Sequence, residues 1–227
     1  MKKKIIISLC FLIIGAIAYN KYLNSNIRVI EENVVIENLP EAFEDFTILQ
    51  VTDLHGTWFG ENQSQLIDLV NSLDYDLLAL TGDLDFDSEG LAMQAFLTGI
   101  IKKSPIVYVE GNHGPFVRDK QTGEKTEIGY WLEEQGVHLL FEPLIIEEDG
   151  QKLWIAEQTE PFWRNEQLQD VTEEDVLIGI MHYPMDENFY RAKRESGEFP
   201  PYDLILGGHW CIPFYGSIFI SDFYENI

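Results

Sequence analysis

Residues 46–55 read Phe46-Thr47-Ile48-Leu49-Gln50-Val51-Thr52-Asp53-Leu54-His55. The first seven make a short apolar run with β-branched residues, the length of a buried strand, and the run stops at an aspartate. A strand ending there delivers Asp53 and His55 at its C-terminal edge, where the chain begins to turn and both side chains can face one side. One hard oxygen and one imidazole nitrogen so placed are ligands for a divalent transition metal. On its own, the pair is an ordinary polar strand end.

The flanking sequence repeats the pattern. Residues 61–73 put Leu66, Leu69, Val70 and Leu73 at helical spacing, and Asp76-Leu77-Leu78-Ala79-Leu80-Thr81 then runs into Gly82-Asp83, which completes a β-α-β unit. A helix is expected over 89–102, and a strand over 106–110 that ends in Gly111-Asn112-His113. After a helix over 126–135, strands are expected over 144–147, 152–157, 176–181 and 204–206, the last two ending at His182 and Gly208-His209. Upstream, 28–38 reads as an edge strand or hairpin that leads through Leu39-Pro40 into the first buried strand. Alternating strands and helices with polar clusters at strand C-termini predict an α/β fold whose site lies at that edge.

Each cluster carries its own chemistry. At Gly82-Asp83 the glycine lets the backbone approach closely, and a carboxylate can give one oxygen to each of two ions about 3.5–4 Å apart. Asn112 offers a neutral hard oxygen and leaves the neighbouring His113 free to donate a proton. A lone histidine after an apolar strand is more often a hydrogen-bonded core residue than a ligand. Five such clusters in series reverse that balance for His182 and His209. His138 follows no such pattern and reads as structural or exposed.

Composition bounds the partners. Against 15 basic residues stand 39 acidic ones, a formal net charge of −24, which disfavours nucleic acid and anionic surfaces and repels bare phosphate at long range. A phosphate substrate therefore needs bound cations to receive it. Cys10 and Cys211 provide no disulfide framework. Met1-Lys2-Lys3-Lys4 followed by the apolar residues 5–19 reads as a single-pass membrane anchor with the rest of the chain outside the cytoplasm, or as a signal segment cleaved on secretion. The expected organisation is an anchor over 1–20, an edge strand and linker over 21–45, and one catalytic domain over 46–227.

The ordered series Asp53-Leu54-His55, Gly82-Asp83, Gly111-Asn112-His113, His182 and Gly208-His209 resembles the calcineurin-like metallophosphoesterase superfamily, in particular its small bacterial membrane-anchored branch. The likeness covers about residues 30 to 215. It implies a four-layer α/β/β/α sandwich and a centre of two divalent ions, Mn, Fe or Zn. By that resemblance Asp53 and His55 bind the first ion, Asp83 bridges, and Asn112, His182 and His209 bind the second. His113 would protonate the leaving alkoxide while hydroxide attacks phosphorus in line. The implied substrate is a phosphomonoester or phosphodiester, with a lipid-linked phosphate suggested by the anchor.

Three departures accompany the likeness. Where the family has Gly-His-x-His, this chain has Gly208-His209-Trp210-Cys211. A thiolate binds zinc or iron, so Cys211 is the candidate for the vacant position on the first metal. The same change admits an impaired or inactive member that acts as a metal-binding or scaffold protein. Gly114 stands where an acidic residue commonly follows, so Asp85 or Asp87 is expected to orient His113. The direct passage from Cys211 into Ile212-Pro213-Phe214 suggests a short deletion and a fold truncated at its C-terminus. Arg118, Lys120, Arg191, Lys193 and Arg194 are cations near the motif loops, each more simply a surface residue.

Overall fold

A computed structural model describes residues 11–15, 19, 27–37, 39–86, 89–158, 166–209 and 217–224. The anchor expected over 1–20 lies mostly outside the described residues, as do Asp87, Trp210 and Cys211. Residues 11–15 and 19 are helical with exposed side chains. Among the described residues, no helix is long and apolar enough to cross a membrane.

Two sheets form the centre of the molecule. The first runs in the order β1 (Arg28–Val35), β10 (Ser217–Tyr224), β2 (Thr47–Thr52), β3 (Leu77–Leu80), β4 (Ile106–Tyr108), β5 (Val137–Leu139). From β2 to β5 it is parallel, β10 runs antiparallel to β2, and β1 is the edge strand, parallel to β10. The second sheet runs β6 (Leu144–Glu148), β7 (Gln151–Glu157), β8 (Val176–Met181), β9 (Leu204–Gly207), with only the β6–β7 pair antiparallel.

Side-chain alternation assigns the layers. In β2, β3 and β4, Ile48, Leu77, Ala79 and Val107, with Val109 just past β4, point between the sheets, where they meet Leu153, Ile155, Val176, Ile178, Ile180 and Leu206. The opposite faces of the same strands send Leu49, Val51, Leu78, Leu80 and Tyr108 against α1 (Ser64–Ser72), α2 (Leu91–Gly99) and α3 (Glu127–Glu134) through Leu66, Val70, Met93, Phe96 and Leu132. Strands buried on both faces read as continuous apolar runs, which is why β2 and β3 were legible. On the far side of the second sheet, Trp154, Leu177 and Tyr202 pack with Tyr190 of α4 (Glu187–Glu195). The layers are therefore helix, sheet, sheet, helix, as expected.

Three elements had no counterpart in the sequence reading. β5 is three residues long, α4 has no buried residue, and β10 lies between β1 and β2. His138 sits on β5, partly buried, with Nε2 at 2.9 Å from the Glu142 carbonyl.

Candidate metal centre

The C-terminal ends of β2, β3 and β4 in one sheet and of β8 and β9 in the other converge on one place. The loop after β2 is laced to the loop after β3 by three main-chain bonds, Asp53 N to Gly82 O (3.1 Å), His55 N to Asp83 O (2.9 Å) and Gly56 N to Leu84 O (3.1 Å). Asp53, His55, Asp83 and His209 all hold positive φ, at 52°, 49°, 51° and 68°. Left-handed backbone is uncommon outside glycine, and Asp and His are among the residues that tolerate it best.

Two glycines permit the close approach. A Cβ on Gly82 would lie 2.6 Å from His182 Nδ1, and one on Gly111 would lie 1.9 Å from Asp83 Oδ1. Close approach was the role expected for Gly82.

Two sets of ligand atoms result, each within 4.8 Å: His55, Asp83 and His113, and Asp83, His182 and His209. Asp83 belongs to both. Asp53 joins the first, with Oδ1 at 3.6 Å from His55 Nε2, and Asn112 joins the second, with Oδ1 at 3.1 Å from His182 Nε2. All six described residues expected as ligands therefore come together. His113, expected as the proton donor, is itself a member of the first set, with an exposed ring 5.3 Å from that of His55.

The donor set tests whether a cation fits. His182 Nδ1 lies 2.9 Å from the Thr81 carbonyl, which can only accept, so Nδ1 carries the proton and Nε2 presents a lone pair. Around Nε2 stand Asn112 Oδ1 at 3.1 Å, His209 Nδ1 at 3.2 Å and Asp83 Oδ2 at 3.3 Å. Asp83 Oδ2 and Asn112 Oδ1 can only accept, so with the Nε2 lone pair they are three acceptors drawn to one point that a cation would relieve, and His209 Nδ1 adds a fourth in the tautomer protonated at its Nε2. The carboxylates sharpen the point, since Asp53 and Asp83 are each 1% exposed, and burying an unpaired charge costs several kcal/mol. Burial also holds His55 below the ordinary histidine pKa, although Asp83 and Asp53 pull it upward, and this favours the neutral imidazole that binds metal.

Each carboxylate spends one oxygen on the scaffold. Asp53 Oδ2 accepts from Thr52 Oγ1 (2.6 Å) and His209 N (2.9 Å), while Asp83 Oδ1 accepts from His113 N (2.8 Å). One oxygen per ion was expected of Asp83. Its Oδ2 lies 3.3 Å from His182 Nε2 and 4.0 Å from His55 Nε2, while Oδ1 accepts from the His113 amide.

One expectation changes. Asp85 does not turn to His113: its oxygens accept from Phe86 N (2.9 Å) and from Ala92 N (3.0 Å) in the first turn of α2, where a carboxylate suits the helix N-terminus. Among the cations, Arg118 lies 3.6 Å over Phe141, Lys120 lies 3.8 Å over Phe116, and Arg191 and Lys193 pair with Glu187 and Glu198.

Sequence reasoning missed a supporting layer. Gln50 Nε2 donates to Thr81 Oγ1 (2.7 Å) and to Gly207 O (3.0 Å), and Thr52 Oγ1 lies 3.3 Å from Thr81 O, tying β2, β3 and β9 together beneath the ligands. The signal was present as polar residues interrupting buried apolar strands. Phe86 and Tyr183, whose rings touch site histidines, were missed as well.

Comparison with known proteins agrees with this geometry. The family described as calcineurin-like phosphoesterase matches residues 46–213. The chain belongs to that family. This phosphoesterase domain is similar to the 3',5'-cyclic adenosine monophosphate phosphodiesterase CpdA of Escherichia coli (strain K12), 24% identical over 192 residues that cover 71% of this chain and 68% of that protein. Among solved structures it is similar to phosphopantetheinyl hydrolase (PptH) from Mycobacterium tuberculosis, at 14% identity and TM-score 0.46 over 80% of this chain and 91% of that one. It is also similar to purple acid phosphatase PPD1 from yellow lupin (Lupinus luteus), at 16% identity and TM-score 0.41 over 78% of this chain and 43% of that one.

Proposed function

We propose that the protein hydrolyses a phosphomonoester or phosphodiester at a centre of two divalent ions, Mn, Fe or Zn. The observation that supports this most is the convergence of Asn112 Oδ1, His209 Nδ1 and Asp83 Oδ2 on the His182 Nε2 lone pair, at 3.1, 3.2 and 3.3 Å. Asp53 and His55 would hold one ion, Asn112, His182 and His209 the other, and Asp83, which belongs to both sets, would serve both. When bound, the ions supply the positive charge that an acidic protein needs to accept phosphate, and they acidify water. Thr52, Thr81 and the amide of His113 fix the ligand side chains beforehand. His113 is exposed at the mouth, with its main chain pinned to Asp83, and it donates its ring proton to the leaving oxygen as the phosphorus–oxygen bond breaks.

Location and substrate extend the reading. Lysines ahead of the apolar residues 5–19, and the exposed Phe11, Leu12, Ile13 and Ile14, support membrane attachment with the catalytic domain outside the cytoplasm. This is the small membrane-anchored branch of the family, and release after signal cleavage is its alternative. A lipid-linked phosphate suits such a location. A cyclic nucleotide is the other phosphodiester candidate, suggested by the name of the Escherichia coli relative. The second reading, an inactive member that binds metal as a scaffold, is favoured by one observation: position 211 is cysteine where the family has histidine.

The test is to purify the full chain in detergent, load it with manganese, measure metal content, and assay an aryl phosphodiester with and without chelator. About two metals per chain and chelator-sensitive turnover are expected. Full metal loading with no such turnover would establish the scaffold reading instead. Cys211→His is expected to raise turnover if the last motif is impaired.

A further inference from the structure

Two aromatic rings stand at the mouth of the centre, each touching two site histidines while half in solvent. Phe86 stacks on His55 with centroids 4.7 Å apart and planes 23° apart, and meets His113 edge-on at 5.3 Å, yet it remains 57% exposed. Tyr183 lies 5.2 Å from the His182 ring and 4.5 Å from that of His209, and it is 52% exposed. They come from different sheets, Phe86 from the loop after β3 and Tyr183 from the loop after β8. Each borders one half of the centre.

Single exposed aromatics are common on protein surfaces. These two differ in being held against the ligand shell. A ring fixed on a histidine has already lost its rotamer freedom, so a ligand that lies on its open side pays little to order it. His113 gives its proton to the departing oxygen in the reading above, and Phe86 is in ring contact with His113. The group that departs therefore passes Phe86.

Resting on that phosphoesterase reading, we propose that Phe86 and Tyr183 determine specificity by bracketing the organic part of the substrate. The substrate class they select is a phosphoester with a planar ring next to the phosphate. Aromatic pairs favour offset or edge-on contact at 4.5–7 Å and are worth about 0.5–1.5 kcal/mol beyond area, which converts to roughly two- to tenfold in affinity for each ring.

Two non-hydrolysable probes, phenylphosphonate and methylphosphonate, separate ring recognition from phosphate recognition. Their dissociation constants are measured by calorimetry on the full-length, manganese-loaded protein and on Phe86→Ala, Tyr183→Ala and Tyr183→Phe, each checked for metal content and circular dichroism. The native protein is expected to prefer the phenyl probe by about tenfold. Either alanine variant should lower that ratio by roughly two- to tenfold, and Tyr183→Phe, which keeps the ring, should preserve it. Equal native affinity for the two probes overturns the ring assignment and leaves the phosphoesterase reading standing. A ratio unchanged in both alanine variants does the same and makes the rings mere props for the histidines. Binding of neither probe by metal-loaded protein overturns the phosphoesterase reading, and this inference with it.

Discussion

Gly111→Ala probes how tightly the shared carboxylate is fixed. Gly111 does not occupy the left-handed region, so alanine brings no backbone penalty there, and its effect comes from one methyl group. That methyl would lie 1.9 Å from Asp83 Oδ1, 2.7 Å from Asp83 Cγ and 2.5 Å from the Asp83 main-chain nitrogen. Ordinary contact requires the carboxylate to withdraw by about 1.5 Å, and because the main-chain nitrogen also blocks the methyl, side-chain rotation alone does not relieve it. Oδ1 then loses its 2.8 Å bond from His113 N, and Oδ2 leaves its place between His182 and His55. Overpacking of this kind costs about 1–3 kcal/mol, less than the roughly 5–15 kcal/mol that holds a domain folded. A displacement of about 1 Å at a reacting centre costs on the order of 10²-fold. The expected result is a folded protein, native by circular dichroism, with reduced metal content and kcat/KM for an aryl phosphodiester lowered by about 100-fold or more. Gly15→Ala is the control, since Gly15 does not hold positive φ and a Cβ there meets nothing within 4 Å. A Gly111→Ala protein that keeps its metal and turns over within about threefold of native refutes the claim that Asp83 is held by close packing against the third motif.

Two further outcomes follow from burial. Phe96 is fully buried on the inner face of α2, and Phe96→Ala should cost about 3–5 kcal/mol, read as a fall in the urea midpoint at unchanged slope. The His55 pKa is lowered by burial, so below pH 6.5 the unfolded chain binds more protons at this position than the folded one; the stabilisation is complete above 6.5 and is lost as pH falls through the folded value. In chelator-treated protein the urea midpoint should therefore rise with pH across that window, and His55→Gln should flatten the rise. An identical slope in the variant would assign the effect to other groups.

The legible part of the molecule is the part where periodicity and position carry the same message. β2, β3, β4 and β8 are buried on both faces, so their apolar runs mark them, and Asp53, Asp83, Asn112 and His182 follow within four residues of their ends. Two of the elements that escaped lack that signature. β5 is too short to show a period, and α4, Glu-Asn-Phe-Tyr-Arg-Ala-Lys-Arg-Glu, buries none of its residues. It did carry other helix signals: Asp186 caps it by accepting from Phe189 N at 3.1 Å, Glu187 lies in its first turn, and Lys193 and Arg194 lie in its last. β10 escaped for a different reason. Its run Ser-Ile-Phe-Ile-Ser-Asp-Phe-Tyr has strand character that the reading passed over, and its pairing with β1 and β2, far away in the chain, leaves no local trace. Asp85 was misread because proximity in sequence to Asp83 says nothing of direction, and the free amides at the start of α2 claim its carboxylate.

The left-handed residues explain why a dispersed set of side chains can act together. Along a strand, successive side chains alternate, so Asp53 and His55 already share a face, but an extended chain would carry them past one another. Positive φ at both turns the chain so that Asp53 Oδ1 and His55 Nε2 come to 3.6 Å, while Leu54 between them is driven into the helix-side core and is fully buried. Asp83 and His209 make the same turn at the ends of β3 and β9. Each such conformation costs on the order of 1 kcal/mol or more, and a fold retains several at one place only when neighbouring structure over-determines them. Here the determinants are visible: three main-chain bonds between the first two loops, the His209 amide on Asp53, and the His113 amide on Asp83. The carboxylates thus hold the loops that hold the histidines, using the oxygens that do not face the centre. Protonating or removing either carboxylate should therefore disturb ligand placement on both sheets at once, which binds the integrity of this fold edge to the same two aspartates that the metal chemistry requires.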